Sequence, residues 1–233
     1  MEKCLLSVDW DYFIYTQYNS GSYTEDRRSL IDGWYKRYIQ ARLRGEDIQK
    51  AFKLSPKQGS FWARIRRHFR FTPDVKTYVS DSHALSYAIA KKHYCRAVYL
   101  FDAHADLGYG GLSALSFEVN CSNWLGKLLK EELIREANIF YSPFTSEKPD
   151  YFMAINNLYN IRYCDFRYLN GKCITAAVVH ICRSGAWTPP WLDEYFYDFV
   201  KALGLPYEIV DCPPRNWDPE HLSLSDQIRY LMA

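Results

Sequence analysis

Short apolar runs that break off at carboxylates recur along the chain. Ala97-Val-Tyr-Leu-Phe101 is rich in β-branched and aromatic residues and does not alternate, which predicts a strand buried on both faces of a parallel sheet. It feeds straight into Asp102-Ala-His-Ala-Asp106. A second run from Cys4 ends in Asp9 and Asp11, Thr77 to His83 ends in a histidine, and Thr175 to Cys182 is followed by Arg183 and Ser184. Ala137 to Tyr141, Ile161 to Cys164 and Tyr207 to Val210 read as further strands, the last delivering Asp211. Helical stretches alternate with these runs: Ala84 to Lys92, a helix opening near Asn120-Cys-Ser-Asn-Trp-Leu125 and running through Leu133, and Trp191 to Leu203, begun by Pro189-Pro190 and stopped at Gly204. The alternation predicts an α/β protein, three-layer α/β/α around a mostly parallel sheet. From about Tyr23 to Phe71 the spacing is helical instead, with Leu30, Trp34, Tyr38 and Ile39 and then Phe61, Ile65 and Phe69 recurring at threes and fours. This predicts a helical insertion placed to cap the site, within a single domain over 1–233.

Ligand sites in open parallel sheets lie beyond the carboxyl ends of the strands, where these acidic residues fall. In extended backbone, side chains at i, i+2 and i+4 share a face, so Asp102, His104 and Asp106 converge if strand geometry persists past Phe101. Two carboxylates and an imidazole suit a divalent first-row metal. Asp9 and Asp11 are a weaker signal alone, because Asp-x-Asp after a strand also opens phosphatases with an aspartyl nucleophile; that reading leaves Asp102, His104 and His83 unexplained. His83 by itself, at a helix start, reads more readily as a cap or a packed residue than as a ligand. Ser122 or Asn123 caps its helix or faces a substrate. Arg64, Arg66, Arg67, His68 and Arg70 make one helix basic, which is either a solvated face or a site for an anionic group.

Composition narrows the field. A chain of 233 residues with 48% apolar positions suffices for one large core, and a net charge of +2 gives no reason to expect nucleic acid or a membrane surface as partner. Seven scattered cysteines without a Cys-x-x-Cys pair point to reduced thiols, and no run approaches the roughly 18 apolar residues of a membrane span. With Glu2, Lys3, Asp9 and Asp11 near its start, the chain shows no signal peptide. A cytoplasmic protein acting on a small molecule is the expectation, its oligomeric state open. The aromatic excess, 17% with 20 tyrosines, fits amphipathic core edges or a Tyr-lined cleft.

Three segments then carry a resemblance. Asp102-Ala-His-Ala-Asp106 resembles the Asp-Ala-His-x-Asp motif of the arginase (ureohydrolase) superfamily, Ser7-Val-Asp-Trp-Asp11 its Ser-x-Asp-x-Asp motif, and Ser82-His83-Ala-Leu its Asp-His-Ser-Leu. Val8-Asp-Trp-Asp-Tyr-Phe13, Asn123-Trp124 and Cys182-Arg-Ser184 are similar to segments of an arginase-like family of uncharacterised proteins. The Asp-x-Asp strand opens this chain, whereas in arginases it follows the Asp-Ala-His-x-Asp strand, so the resemblance implies a circularly permuted order. The Gly-Gly before the first histidine, the substrate-loop Ser and Asn spacing and the proton-shuttling histidine of arginases have no match here.

The resemblance implies an arginase-like fold and a binuclear manganese site, with Zn2+ as the alternative metal. His83, Asp102, Asp106 and Asp9 would hold one ion, and His104, Asp102, Asp9 and Asp11 the other. Asp102 and His104 would carry catalysis, a water activated as hydroxide cutting a non-peptide C–N bond of a guanidino, amidine or amide substrate. Asn123, Arg183, Ser184 and Asp211 are the expected substrate contacts, Asp211 by a weak likeness to the Val-Glu segment that holds a guanidinium. A single-zinc deacetylase-like hydrolase using His104 and two carboxylates, or a metal-binding regulatory module without turnover, are the alternatives.

Overall fold

A computed structural model describes residues 3–18 and 30–232 of the chain. In chain order its elements are β1 (Cys4–Asp9), β2 (Ile14–Thr16), α1 (Leu30–Leu43), α2 (Ile48–Ala51), β3 (Phe52–Leu54), α3 (Gln58–Ile65), β4 (Phe69–Ser80), α4 (Leu85–Lys92), β5 (Ala97–Asp102), α5 (Trp124–Lys130), β6 (Glu136–Tyr141), α6 (Met153–Asn156), β7 (Ile161–Tyr163), β8 (Ile174–Cys182), α7 (Asp193–Ala202), β9 (Glu208–Asp211) and α8 (Leu224–Met232), joined by turns that include several 3-10 segments.

Seven strands form one parallel sheet in the order β7-β6-β5-β1-β8-β4-β9. The runs without alternation, β1 and β5, are buried along their whole length, as central strands covered on both faces must be. Alternate side chains then build two cores. Leu6, Val8, Tyr99, Phe101, Val179 and Ile181 meet Phe61 and Trp62 of α3, Trp34 of α1 and Phe196 and Phe199 of α7 on one face. On the other, Leu5, Val98, Leu100 and Val178 meet Ile89 of α4 and Trp124, Leu125 and Leu128 of α5. The fold is the three-layer α/β/α arrangement. Much of the aromatic excess lies in the first core, where Trp10, Phe13, Phe61 and Phe199 pack ring to ring at centroid separations of 5.0–5.7 Å.

The region expected to be a helical insertion differs in detail, and its stretch at 19–29, including Tyr23, lies outside the described residues. Phe69, spaced like a helical position after Phe61 and Ile65, instead begins β4. Phe69, Arg70 and Phe71 pair with Ile174, Thr175 and Ala176, and the register shifts between Phe71 and Lys76, around Pro73, which has no N–H for the ladder. A small antiparallel pair, Ile14–Thr16 with Phe52–Leu54, was also not marked by the periodicity. Trp34 Nε1 and Arg37 Nη1 of α1 donate to the carbonyls of Gly185 and Ala186 at 2.7 and 2.8 Å, so the described part of the insertion braces a loop at the rim of the site and lines none of its cavity. No helix among the described residues is long and apolar enough to cross a membrane.

Candidate metal centre

The parallel register brings the carboxyl ends of β1, β5, β8 and β4 to one edge. β1 stops at Asp9, whose side chain accepts the Asp11 N–H at 3.0 Å and caps a 3-10 turn over Trp10–Phe13, so Asp11 returns to the same edge. β5 stops at Asp102. The following loop folds on its own ligands: His104 N–H donates to Asp102 Oδ1 at 2.8 Å and Ala103 N–H to Asp11 Oδ1 at 3.2 Å. Asp106 sits in the left-handed region at φ 51°, a strained position for a residue with a Cβ, and is held there by the Trp124 indole N–H, 2.5 Å from its Oδ2. Gly126 lets α5 approach this loop, because a Cβ there would overlap the Leu107 carbonyl.

The six expected ligands converge. His83 Nδ1 lies 2.9 Å from Asp102 Oδ2, 3.0 Å from Asp106 Oδ2 and 3.2 Å from Asp9 Oδ2, and His104 Nδ1 lies 3.0 Å from Asp11 Oδ2 and 3.5 Å from Asp102 Oδ1. One ring N–H cannot serve three carboxylates. Indeed His83 Nδ1 and Asp102 Oδ2, both fully enclosed, make no directed hydrogen bond at all. Asp9, His83 and Asp102 form one group whose ligand atoms lie within 4.8 Å of one another, Asp11, Asp102 and His104 a second, and Asp102 belongs to both. These buried Asp/His groups are able to bind metal ions.

Electrostatics point the same way. Burial, then Asp11, pushes the Asp9 carboxyl up to about 6, against the pull of His83 and Ser184. Burial and the charges of Asp11, Asp106 and Asp9 hold Asp102 well above the carboxylate range. Burial alone would discharge both histidines, yet the surrounding carboxylates raise His83 and His104 well above their ordinary value. Burial also acts upward on Asp11, but His104 outweighs it and the group is lowered. A cluster that recruits protons onto its imidazoles is short of positive charge.

The four expected substrate contacts are not brought together. Ser184, at φ 51°, does face the cavity and donates its hydroxyl to Asp9 Oδ2. Asn123 is a correction: its amide accepts from Asn120 N–H at 2.9 Å and donates to the Ala114 and Glu118 carbonyls, so it shapes the loop before α5. Arg183 is another, fully buried and committed to Asp81 and Asp193 behind the site. Asp211 ends the sheet-edge strand β9 and does not line the cavity; its carbonyl accepts the Asp81 N–H at 2.6 Å. The cavity holds about 250 Å³ and is rimmed by Tyr109, Cys121, Ser122, Ser184 and Trp187. A larger cleft of about 820 Å³ lies along Phe69–Tyr78 and Leu205–Glu208 at the opposite end of β4, away from these ligands.

Other contributors went unmarked in the sequence. Trp124 grips Asp106, and its only signal was the Asn-Trp likeness. Glu147 accepts from Ala105 N–H at 2.9 Å and from Tyr109 and Tyr141, and burial pushes its carboxyl up to about 7. Ser7, Ser86 and His180 lie directly behind His83, each in a run that reads only as buried strand or helix. No protein-family model, curated protein or solved structure matches this chain, so the likeness to the arginase superfamily rests on its short motifs.

Proposed function

We propose that this crevice holds two divalent ions, manganese by preference and zinc as the alternative, and that it is the active site of an arginase-like hydrolase cutting a non-peptide C–N bond of a small molecule. The observation that carries the reading is the pair of orphaned buried atoms, His83 Nδ1 and Asp102 Oδ2, facing each other among further carboxylates. His83, Asp9, Asp102 and Asp106 would hold one ion, and His104, Asp11 and Asp102, with Asp9, the other. Four aspartates balance two dications. A single zinc on His104 and two carboxylates would leave His83 Nδ1 unmatched, which favours the binuclear site.

Bound there, the ions supply Lewis acidity and lower the pKa of a water toward neutrality. The chain does the rest. Ser184 and Trp124 fix the Asp9 and Asp106 carboxylates, and the rings of Tyr109 and Trp187 narrow the mouth, which limits solvent at the reacting bond. A cavity of about 250 Å³ takes a small substrate, and among the described residues its lining includes no Lys or Arg to receive an anionic group, which supports a neutral or cationic head such as an amide, amidine or guanidine. Metal analysis after loading with Mn2+, followed by a hydrolysis screen of guanidino, amidine and acylated-amine compounds, tests the reading. Two ions per chain with release of an amine or urea is the expected result; a loaded protein that turns over none of them with either metal is a binding module instead, and a protein that takes up no metal has no such site.

A further inference from the structure

Behind His83 runs a buried chain of side-chain hydrogen bonds that touches no other part of the candidate site. His83 Nε2 lies 2.8 Å from Ser7 Oγ, Ser7 Oγ 2.9 Å from Ser86 Oγ, Ser86 Oγ 2.6 Å from His180 Nδ1, and His180 Nε2 2.7 Å from Ser80 Oγ, which donates to the Ser82 carbonyl at 2.9 Å. Ser7, Ser80, Ser86 and His180 are completely buried. Each hydroxyl has one proton, and the last acceptor is a carbonyl that can only accept. The direction of every bond follows. Ser80 gives its proton to Ser82, so His180 Nε2 must donate to Ser80. A neutral His180 then has a bare Nδ1 that takes the Ser86 proton, Ser86 in turn accepts from Ser7, and Ser7 accepts from His83 Nε2–H. His180 is neutral on geometry alone, since both of its nitrogens meet hydroxyls and a buried imidazolium there would lack a counter-charge.

We infer that Ser80, His180, Ser86 and Ser7 form a one-way relay, anchored on the Ser82 carbonyl, that fixes a proton on His83 Nε2 and so leaves Nδ1, the nitrogen facing Asp9, Asp102 and Asp106, as the one that gives up its proton when an ion binds. These are positioning residues: they touch neither ion nor substrate and act through His83. The inference rests on the metal-site reading above and explains why Nδ1 is the orphaned atom there. Reversing any link would leave a second proton pointing at a donor, so the relay couples the ligand, by way of β1, α4, β8 and β4, to the backbone carbonyl of the residue before it.

The test has two readouts on the full chain. Nitrogen-15 NMR of histidine-labelled wild type reads the His180 tautomer without reference to metal. The relay requires the proton on Nε2 and a bare Nδ1; a proton on Nδ1, alone or with Nε2, at neutral pH overturns it. Calorimetric titration with Mn2+ alone then compares wild type with Ser86→Ala, which removes the middle hydroxyl and leaves every ligand in place. Ser86→Ala is expected to bind Mn2+ about 10–100-fold more weakly, with recovery in Ser86→Thr, and an unchanged affinity overturns the relay. Failure of the wild type to bind Mn2+ overturns the metal reading instead, while the His180 tautomer still decides the direction of the relay even if Ser86→Ala does not fold.

Discussion

Two buried clusters of charge meet at consecutive residues, Arg183 and Ser184, and they are built in opposite ways. In the first, Arg183 donates Nε and Nη2 to the two oxygens of Asp81 at 2.9 and 2.7 Å and Nη1 to Asp193 at 3.0 Å, while Arg215 holds Asp193 from its other side and the carbonyls of Gly185 and Thr188 at 2.7 Å. Gly185 N–H completes Asp81, and a Cβ at Gly185 would stand 2.5 Å from that carboxylate. Two cations answer two anions almost atom for atom. In the second cluster Asp9, Asp11, Asp102 and Asp106 have, among the described residues, two imidazoles to answer them, and His83 Nδ1 and Asp102 Oδ2, though 2.9 Å apart, make no directed hydrogen bond. A balanced cluster is architecture, holding the loop that presents Ser184 and Trp187. An unbalanced one is maintained at a cost in stability that a bound cation would offset.

The contrast breaks most sharply under mutation of the balanced cluster. Arg183→Ala strips the buried Asp81 carboxylate of its arginine, leaves Asp193 to Arg215 alone, and is expected to cost about 3–5 kcal/mol of stability in denaturant unfolding. Added Mn2+ does not restore the loss beyond the gain it gives to wild type.

In the unbalanced cluster the signs differ. Saturating the wild type with Mn2+ at a hundredfold over Kd is expected to add about 2.7 kcal/mol, read as roughly 5–10 °C in Tm for a chain of this size. Asp102→Asn removes the residue common to both ligand groups, so metal content by elemental analysis falls to background and the Mn2+ shift disappears. The metal-free variant melts no lower than wild type, because a neutral amide replaces a carboxyl whose ionised form the burial and the neighbouring aspartates already disfavour. A marked drop in its metal-free stability would place Asp102 with the architecture.

The clusters also separate by pH. Asp9 is raised from an ordinary value of 3.8 to about 6. For a carboxyl raised in the folded state, the stabilising contribution is complete below the ordinary value and is lost as pH rises through the folded one. Metal-free protein is therefore expected to lose stability between about pH 4 and 6, measured by denaturant midpoints across that range. Asp9→Asn flattens this part of the profile. A metal-free wild-type profile already flat there would show that the cluster carries no unfavourable charge.

The sheet and the Asp/His cluster were legible for one reason: both are written in short-range pattern. Unalternating runs such as Val98–Phe101 announce buried parallel strands, and ligands at alternate positions after a strand fall on one face. What escaped depends on partners distant in the chain. Arg183 after a strand reads as a rim residue until Asp81, 102 positions away, neutralises it. Ser7 and Ser86 read as small core residues until they are seen between His83 and His180. Phe69 kept helical spacing with Ile65, but pairing with β8 across more than a hundred residues overrode it.

The smallest effect tests whether the likeness to arginases reaches the substrate. Asp211 was expected to meet a cationic head, yet it closes β9 at the edge of the sheet, opposite Ser80, and its carbonyl serves Asp81 of the balanced cluster. Its side chain is not part of the cavity wall. Asp211→Asn is accordingly expected to keep full Mn2+ content and to change kcat/KM on any substrate found by less than about twofold, or roughly 0.4 kcal/mol. Loss of a charge-assisted hydrogen bond to substrate would instead cost about 1.5–3 kcal/mol, on the order of 10–100-fold. A drop of that size with metal retained would put Asp211 on the substrate after all and move the binding face from the Tyr109–Trp187 rim to the β9 edge.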